Sequence, residues 1–213
     1  MQHLRYASLS AAEQQQTFLE IIWGDPLLRD ALQRARDLQL PHWSIVSGAL
    51  YNSVWNHLTG KPSGYGIKDI DIFYFDAQDL SYEAEDVRIK QGDVVFAGYD
   101  LPVEIRNQAR VHLWFEEHFG QSYPPLQSCE QGIDRFASKT HAVGLRLEEN
   151  DTLNLYAPFG LKDIFSFRVT PNPIIDNRAT HHAKALRAQQ NWPEVTIVPW
   201  CSLGEDVSLA TQK

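Results

Sequence analysis

Two aspartates separated by one residue, Asp69 and Asp71, are the first residues whose type and spacing suggest chemistry. They open the run DIDIFYF, whose β-branched and aromatic residues predict a strand over 69–75. Alternate side chains of a strand share one face, so both carboxylates should project the same way, about 7 Å apart. Because like charges so placed repel, and a divalent cation relieves the repulsion, we expect a site for Mg²⁺ or Mn²⁺.

A third carboxylate, Glu104, lies in the sequence VEIRN, which predicts another strand over 103–107. Alternation places Val103 and Ile105 on one face and Glu104 with Arg106 on the other. If this strand adjoins the first, Glu104 can reach the same cation. Three carboxylates on adjacent strands can hold two magnesium ions. Two such ions stabilise the attacking and leaving oxygens of a phosphoryl transfer.

A phosphate-binding turn is the second expected part of the site. Ser47 and Gly48 lie between a predicted strand over 43–47 and a predicted helix. Glycine allows close backbone approach, and a helix N-terminus presents unpaired N–H groups to an anion. Asn52 and Asn56 recur at four-residue spacing on one face of that helix and are expected to line the same cleft.

Further polar residues are candidates for substrate contact. Arg106 could bind a triphosphate or a base, or simply form a surface ion pair with the nearby Glu104. Lys139 is a candidate for phosphate contact, and Tyr65 could stack on a base. Lys68 is expected to point away from the aspartates into solvent.

The elements that must position these residues follow from periodicity and helix-capping signals. Helices are predicted over residues 10–22, 26–40, 48–59, 80–96, 108–119, 128–136, 160–165 and 177–190, with a β-hairpin over 142–147 and 153–156. Gly92 is a potential break in the fourth helix. We expect one domain comprising an N-terminal helical lobe (1–40), a catalytic core (41–170), and a C-terminal helix and tail (171–213) whose last ten residues fray.

Composition limits the partners. The 213 residues carry 27 acidic against 19 basic side chains, a formal charge of -8, which disfavours a long nucleic acid. Cys129 and Cys201 have no metal-like spacing and are expected to be unpaired thiols. The N-terminus lacks a secretory pattern, and no window approaches the roughly 20 apolar residues that span a bilayer. We therefore expect a cytoplasmic protein without a membrane partner.

Several longer runs carry a family resemblance: SGALYNSVW, DIDIFYFD, VEIRNQARVHLWFEEHFG, AVGLRL and LYAPFGLKDIFSFRVTPNP. Together, over roughly residues 15 to 190, they resemble a family of bacterial nucleotidyltransferase-like proteins of undetermined role, within the polymerase-beta nucleotidyltransferase superfamily. The resemblance implies an α+β fold, with a mixed β-sheet flanked by helices and an N-terminal helical pair. Where the superfamily usually has Gly-Gly or Gly-Ser, this chain has Gly48 followed by Ala49.

The resemblance also implies roles for individual residues. Ser47 and Gly48 would hold the triphosphate, Asp69 and Asp71 would bind both metals, and Glu104 would be the third carboxylate. The implied reaction moves a nucleoside monophosphate from a nucleoside triphosphate to a hydroxyl of a small molecule, a protein side chain or an RNA end.

Two alternatives remain open. One is a nucleotide-binding or protein-interaction module with the same fold and little catalysis, at which Ala49 hints. The other is a metal-dependent phosphohydrolase using the same carboxylates. The retained set of three carboxylates favours the transferase over the module, because a structural role does not need like charges on one face.

Overall fold

A five-stranded mixed sheet organises the chain in this computed structural model, which describes residues 2–200. Its strands are β1 (Ser44–Val46), β2 (Ile70–Tyr74), β3 (Val103–Asn107), β4 (Gly144–Leu147) and β5 (Leu153–Tyr156), in the order β3-β2-β1-β4-β5. β2 and β3 are parallel, and the other neighbours are antiparallel. Two short strands, β6 (Arg168–Val169) and β7 (Thr196–Ile197), pair in parallel apart from this sheet.

The helices surround the sheet. They are α1 (Ala11–Gly24), α2 (Pro26–Asp37), α3 (Gly48–Thr59), α4 (Tyr82–Val95), α5 (Phe115–Phe119), α6 (Cys129–Asp134), α7 (Lys162–Phe165) and α8 (Arg178–Asn191). Short 3-10 helices cover Gln2–Leu4, Gln108–Leu113 and Lys139–His141. Ser10 and Glu13 form the expected capping box of α1, and the Asp25 carboxylate caps α2. This arrangement confirms the predicted α+β fold with an N-terminal helical pair.

The two faces of the sheet have different roles. Ile45, Ile72 and Leu145 belong to the large buried core that also contains apolar residues of α1, α2 and α3. Val46 and Phe73, one residue along each strand, face the other way and pack in a smaller cluster with Ile133 of α6. The second face therefore has a thinner apolar cover, which leaves room for polar side chains of β2 and β3.

Residues 108–119, predicted as one helix, form two elements, so that prediction was wrong. A 3-10 turn ends at Leu113, Trp114 leaves helical geometry with φ -127°, and α5 follows. The turn is tied to α4 because Arg110 donates to the Leu80 carbonyl and pairs with Glu85. Such tertiary tethers leave no mark in hydrophobic periodicity, which explains the error.

Gly92 does not break α4. A Cβ at this position would clash with the Ile105 side chain, so glycine lets the helix pack closely on β3.

Some expectations cannot be compared with the structure. Cys129 is a buried free thiol, whereas Cys201 and the expected fraying of the last ten residues lie outside the described residues. The division into lobe, core and C-terminal segment stays a prediction. Among residues 2–200, no helix is both long enough and apolar enough to cross a membrane.

The buried ion pair between Glu85 and Arg110 generates a stability prediction. Glu85 also accepts a hydrogen bond from the Asn107 backbone at 2.8 Å, so it holds α4, the end of β3 and the following turn together. Glu85→Gln should lower the free energy of unfolding by about 3 kcal/mol, because it leaves the largely buried Arg110 charge without a carboxylate partner. Urea denaturation measures this. The exposed Glu83→Gln on the same helix is the control, and equal effects of the two substitutions would contradict the assignment.

Candidate active site

The register of two parallel strands brings two carboxylate residues side by side. Asp71 of β2 pairs directly with Glu104 of β3, and on its other side Asp71 faces Val46 of β1. The strand predicted over 69–75 begins one residue later in the structure, so Asp69 lies just before β2. The sheet therefore places Asp71 between an apolar and an acidic neighbour, with a further carboxylate close by.

This environment changes the protonation of Asp71. Burial, followed by repulsion from Asp69 and Glu104, raises the pKa of Asp71 from 3.8 to about 6, although Lys184 and Lys68 oppose the shift. An acid with a raised pKa is a common feature of functional sites, because the fold holds a charge where it is poorly solvated. The fold thus holds the Asp71 carboxylate where its charge is poorly solvated and lies near two other acidic side chains.

Lys184 of α8 is a site residue that sequence reasoning missed. Burial lowers the pKa of Lys184, while the negative charges of Asp71 and Asp69 act in the opposite direction. With Asp71 and Glu104 it lines one cleft. Lys184 is far from the carboxylates in sequence. The only sequence pattern that indicates its role is its position on one face of a helix with Asn177 and Thr180, which line the same cleft.

Two buried polar contacts fix α8 on either side of Lys184. The His181 Nδ1 lies 2.8 Å from the Ser138 hydroxyl oxygen. Trp192, directly after the helix, donates from its indole nitrogen to Asn56 at 3.1 Å. Because these contacts flank Lys184 along the chain, they set how far α8 stands from the carboxylates.

Further cations surround the aspartates. Arg187, one turn beyond Lys184, lies close enough to act electrostatically on Lys184, Lys68 and the buried Tyr51. Lys68 was expected to point away into solvent, but its ammonium lies 3.0 Å from the Asp69 carboxylate. Asp69 precedes the regular strand, so strict alternation does not apply there, and neighbouring side chains can meet.

The turn before α3 has unusual backbone geometry. Buried Ser47 adopts φ 57° and ψ -116°, a conformation that a residue with a Cβ rarely takes. Its N–H donates to the Val143 carbonyl at 2.8 Å, and its own carbonyl accepts from Leu50 and Tyr51. The chain thereby reverses sharply from β1 into α3, with Gly48 as the first helical residue. Strain of this kind concentrates at functional sites.

The two asparagines of α3 behave differently. Asn52 is buried, and its Oδ1 has no hydrogen-bond partner within the described part of the chain. Asn56 was expected to line the cleft, but its amide donates to the Tyr65 carbonyl and its oxygen accepts from Trp192. Asn56 therefore has a structural position, because both ends of its side chain are used within the fold.

The remaining candidates lie at varying distance from the carboxylates. Arg106 pairs with Glu104 at 3.2 Å, the surface ion pair that the sequence left open. Lys139 has its ammonium 5.6 Å from the Phe159 ring centroid and does not line the cleft beside Asp71. The Tyr65 ring packs edge-on against Trp192, with the ring centroids 5.9 Å apart.

Beneath the site, Tyr51 stacks on His141 with ring centroids 4.8 Å apart. Burial lowers the pKa of His141 well below its usual range, and Lys184 adds to the effect. The imidazole is therefore neutral at physiological pH, so the floor of the site adds no positive charge. The buried Nε2 of His141 has no hydrogen-bond partner between residues 2 and 200.

The three carboxylates have suitable chemistry for a divalent cation but are not gathered around one point. Among residues 2–200, no three Asp, Glu, His or Cys side chains form a group arranged to hold a metal ion. Asp69 instead forms an ion pair with Lys68, and Glu104 forms one with Arg106. Hard oxygen donors and the raised pKa of Asp71 nevertheless fit Mg²⁺, which neutralises such charge.

Comparison with known proteins decides the family. A family model described as Nucleotidyltransferase matches residues 33–197. The chain belongs to this nucleotidyltransferase family. One similar solved structure is an NMR structure described as revealing a CCA-adding enzyme head domain, with 27% sequence identity, a TM-score of 0.72, and coverage of 87% of this chain and 96% of that one. Comparison with curated proteins found no match.

Membership of the nucleotidyltransferase family confirms the resemblance seen in the sequence and supports a transferase. All the residues predicted for the site, Ser47 to Lys139, lie within the matched range, and so do Lys184 and Arg187. Their individual roles stay predictions.

The pKa of Asp71 generates a pH-dependent stability prediction. Because the pKa is raised in the folded state, the ionised carboxylate destabilises the fold at pH values above about 6, and this cost disappears below the ordinary value of 3.8. Asp71→Asn should therefore raise the free energy of unfolding at pH 8 by on the order of 2 kcal/mol and change it little at pH 4. Denaturation at both pH values, with the exposed Asp93→Asn as control, tests this; a destabilised Asp71→Asn at pH 8 would contradict it.

Proposed function

We propose that this protein transfers a nucleoside monophosphate from a nucleoside triphosphate to a hydroxyl group, in a reaction that depends on Mg²⁺ or Mn²⁺. The single observation that carries the proposal is the in-register pair of Asp71 and Glu104, with Asp69 just before it and Lys184 facing it. Carboxylates that bind a cation and a lysine that binds phosphate are the two halves of a phosphoryl-transfer site.

The protein's own groups have distinct tasks in this reaction. Ser47, Gly48 and the N-terminus of the 12-residue α3 offer a hydroxyl and backbone N–H groups to the triphosphate. Lys184 and Arg187 neutralise phosphate charge from the opposite side. Glu104 accepts the proton of the attacking hydroxyl, because it is the most exposed of the three carboxylates and lines the open cleft.

Asp69, Asp71 and Glu104 would hold the metal. When bound, the metal offsets the charge that develops on the attacking and leaving oxygens. For the carboxylates to gather, Asp69 must leave Lys68 and Glu104 must leave Arg106. Both ion pairs are partly exposed, so their exchange has a small cost, and the released cations become available to the triphosphate.

The acceptor can be a small molecule, a protein side chain or an RNA end. The formal charge of -8 argues against a long nucleic acid, since a polyanion would meet a protein of its own sign. We expect the reaction to take place in the cytoplasm, where nucleoside triphosphates and Mg²⁺ are present.

A specific observation also favours a second candidate, a nucleotide-binding module with little catalysis. In the structure, two of the three carboxylates form ion pairs with basic side chains, Asp69 with Lys68 and Glu104 with Arg106. This arrangement would suit a protein that binds nucleotide without a metal ion. The two candidates differ in whether binding requires a divalent cation.

Calorimetric titration with each of the four nucleoside triphosphates tests the proposal. We expect binding that requires Mg²⁺ or Mn²⁺ and becomes at least about ten-fold weaker in Asp71→Asn, which removes a metal ligand, and in Lys184→Gln, which removes a phosphate contact. Lys90→Gln, an exposed lysine paired with Asp86 on α4, is the matched control and should bind normally.

Asp71→Asn should be at least as stable as the wild type, so weaker binding cannot be attributed to unfolding. Binding that is equally strong in EDTA would support the module instead. Absence of binding to folded wild-type protein would contradict both.

A further inference from the structure

A cleft of about 430 Å³ lies beside the carboxylates, and neither Ser47 nor Gly48 is among its lining residues. Its lining includes Asp71, Glu104 and Lys184 together with aromatic side chains of the segment around α5. This volume falls within the range that holds a small molecule and is far below what a folded partner needs. Because Glu104 lines the cleft, a molecule bound there lies next to the group that we propose takes the proton.

Aromatic side chains form much of the cleft wall. Phe115 packs against Tyr123 with ring centroids 4.2 Å apart and against Phe119 at 4.6 Å, while Phe73 stacks on Phe136 at 5.6 Å. Phe119 remains 53% exposed, so a large apolar side chain at the entrance has no cover within the described residues. Planar apolar walls of this kind favour a flat ring as ligand.

One cation in the cleft lacks a negative partner. Three basic residues line it: Arg106 pairs with Glu104, Lys184 faces Asp71, and Arg135 forms no ion pair among residues 2–200. Its guanidinium hydrogen-bonds the Tyr123 hydroxyl, but Nη1 is buried and has no hydrogen-bond acceptor among residues 2–200. The side chain does contact Tyr123, whose ring centroid is 5.0 Å from Cζ.

Tyr123 cannot supply the missing charge. Burial raises the pKa of its hydroxyl even though Arg135 opposes the shift, so the phenol stays neutral. A buried guanidinium donor without an acceptor has a considerable cost, and a carboxylate is the group that best matches its geometry. An anionic ligand would therefore give Arg135 the charged partner that residues 2–200 do not supply.

We propose that this cleft binds the acceptor, and that the acceptor is a small aromatic carboxylic acid bearing a hydroxyl group. The ring lies between the aromatic walls, the carboxylate binds Arg135, and the hydroxyl points to Glu104. This inference rests on the proposed nucleotidyl transfer and names its acceptor class.

The reaction then balances. The acceptor hydroxyl oxygen attacks the α-phosphorus of the nucleoside triphosphate, a new P–O bond forms, and the bond from that phosphorus to the oxygen bridging to the β-phosphate breaks. The hydroxyl proton passes to Glu104, and pyrophosphate leaves. No oxidant or further reactant is required.

The test uses three acids with one ring and increasing spacer length: 4-hydroxybenzoate, 4-hydroxyphenylacetate and 3-(4-hydroxyphenyl)propanoate, each beside its neutral amide. Ligand-detected NMR with the full-length protein measures their binding in the presence and absence of magnesium and a nucleoside triphosphate. We expect at least one acid to bind, its amide to bind about ten-fold more weakly, and the nucleotide not to displace the acid.

Arg135→Gln should reduce binding of that acid to the level of its amide while leaving nucleotide binding unchanged, whereas the exposed Arg29→Gln should have no effect. Unchanged nucleotide binding also shows that the variant is folded. The comparison of acid with amide needs no variant, so it remains decisive if Arg135→Gln does not fold.

The inference is overturned if no acid binds, if acids and amides bind equally, or if the nucleotide displaces the acid, since its base would then occupy the cleft. Each of these outcomes is compatible with metal-dependent nucleotide binding and so leaves the proposed function standing. Failure of nucleotide binding itself would overturn the proposed function first.

Discussion

The parallel pairing of β2 with β3 is the constraint on which the rest of the site depends. It places Asp71 opposite Glu104 within a sheet that buries the alternate residues Ile72 and Ile105 in the main core. A shift of one residue would turn the apolar side chains to the thin face and the carboxylates into the core, at a large cost. Packing of the core therefore holds the Asp71 and Glu104 carboxylates close together despite their mutual repulsion.

The electrostatic repulsion between these carboxylates is partly offset by α8, near the C-terminal end of the described chain. Lys184 neutralises part of the charge, and the contacts of His181 and Trp192 hold its helix in position. Residues of α8 line the cleft beside the carboxylates and the aromatic side chains. The same helix would therefore contact both the proposed nucleotide and the proposed acceptor. Movement of α8 would change charge balance and cleft width together, which links the dynamics of the fold to function.

Local sequence patterns predicted those features whose causes are local. Alternation in β2 and β3 identified Asp71 and Glu104, and the strand-glycine-helix pattern identified the turn at Gly48. Lys184 was missed because its role arises only when α8 folds back over the sheet, more than 100 residues from Asp71. Asn56 was misplaced for the same reason, since the groups that use its side chain, Tyr65 and Trp192, come from other segments.

The most direct test of the central claim is a crystal structure with Mn²⁺ and a non-hydrolysable nucleoside triphosphate, in which anomalous scattering locates the metal. We predict Mn²⁺ bound by carboxylate oxygens of Asp69, Asp71 and Glu104, at the roughly 2.0–2.2 Å typical of small divalent cations, with the triphosphate between it and Lys184. Nucleotide bound at the turn without metal at these carboxylates, or metal bound elsewhere, would contradict the account.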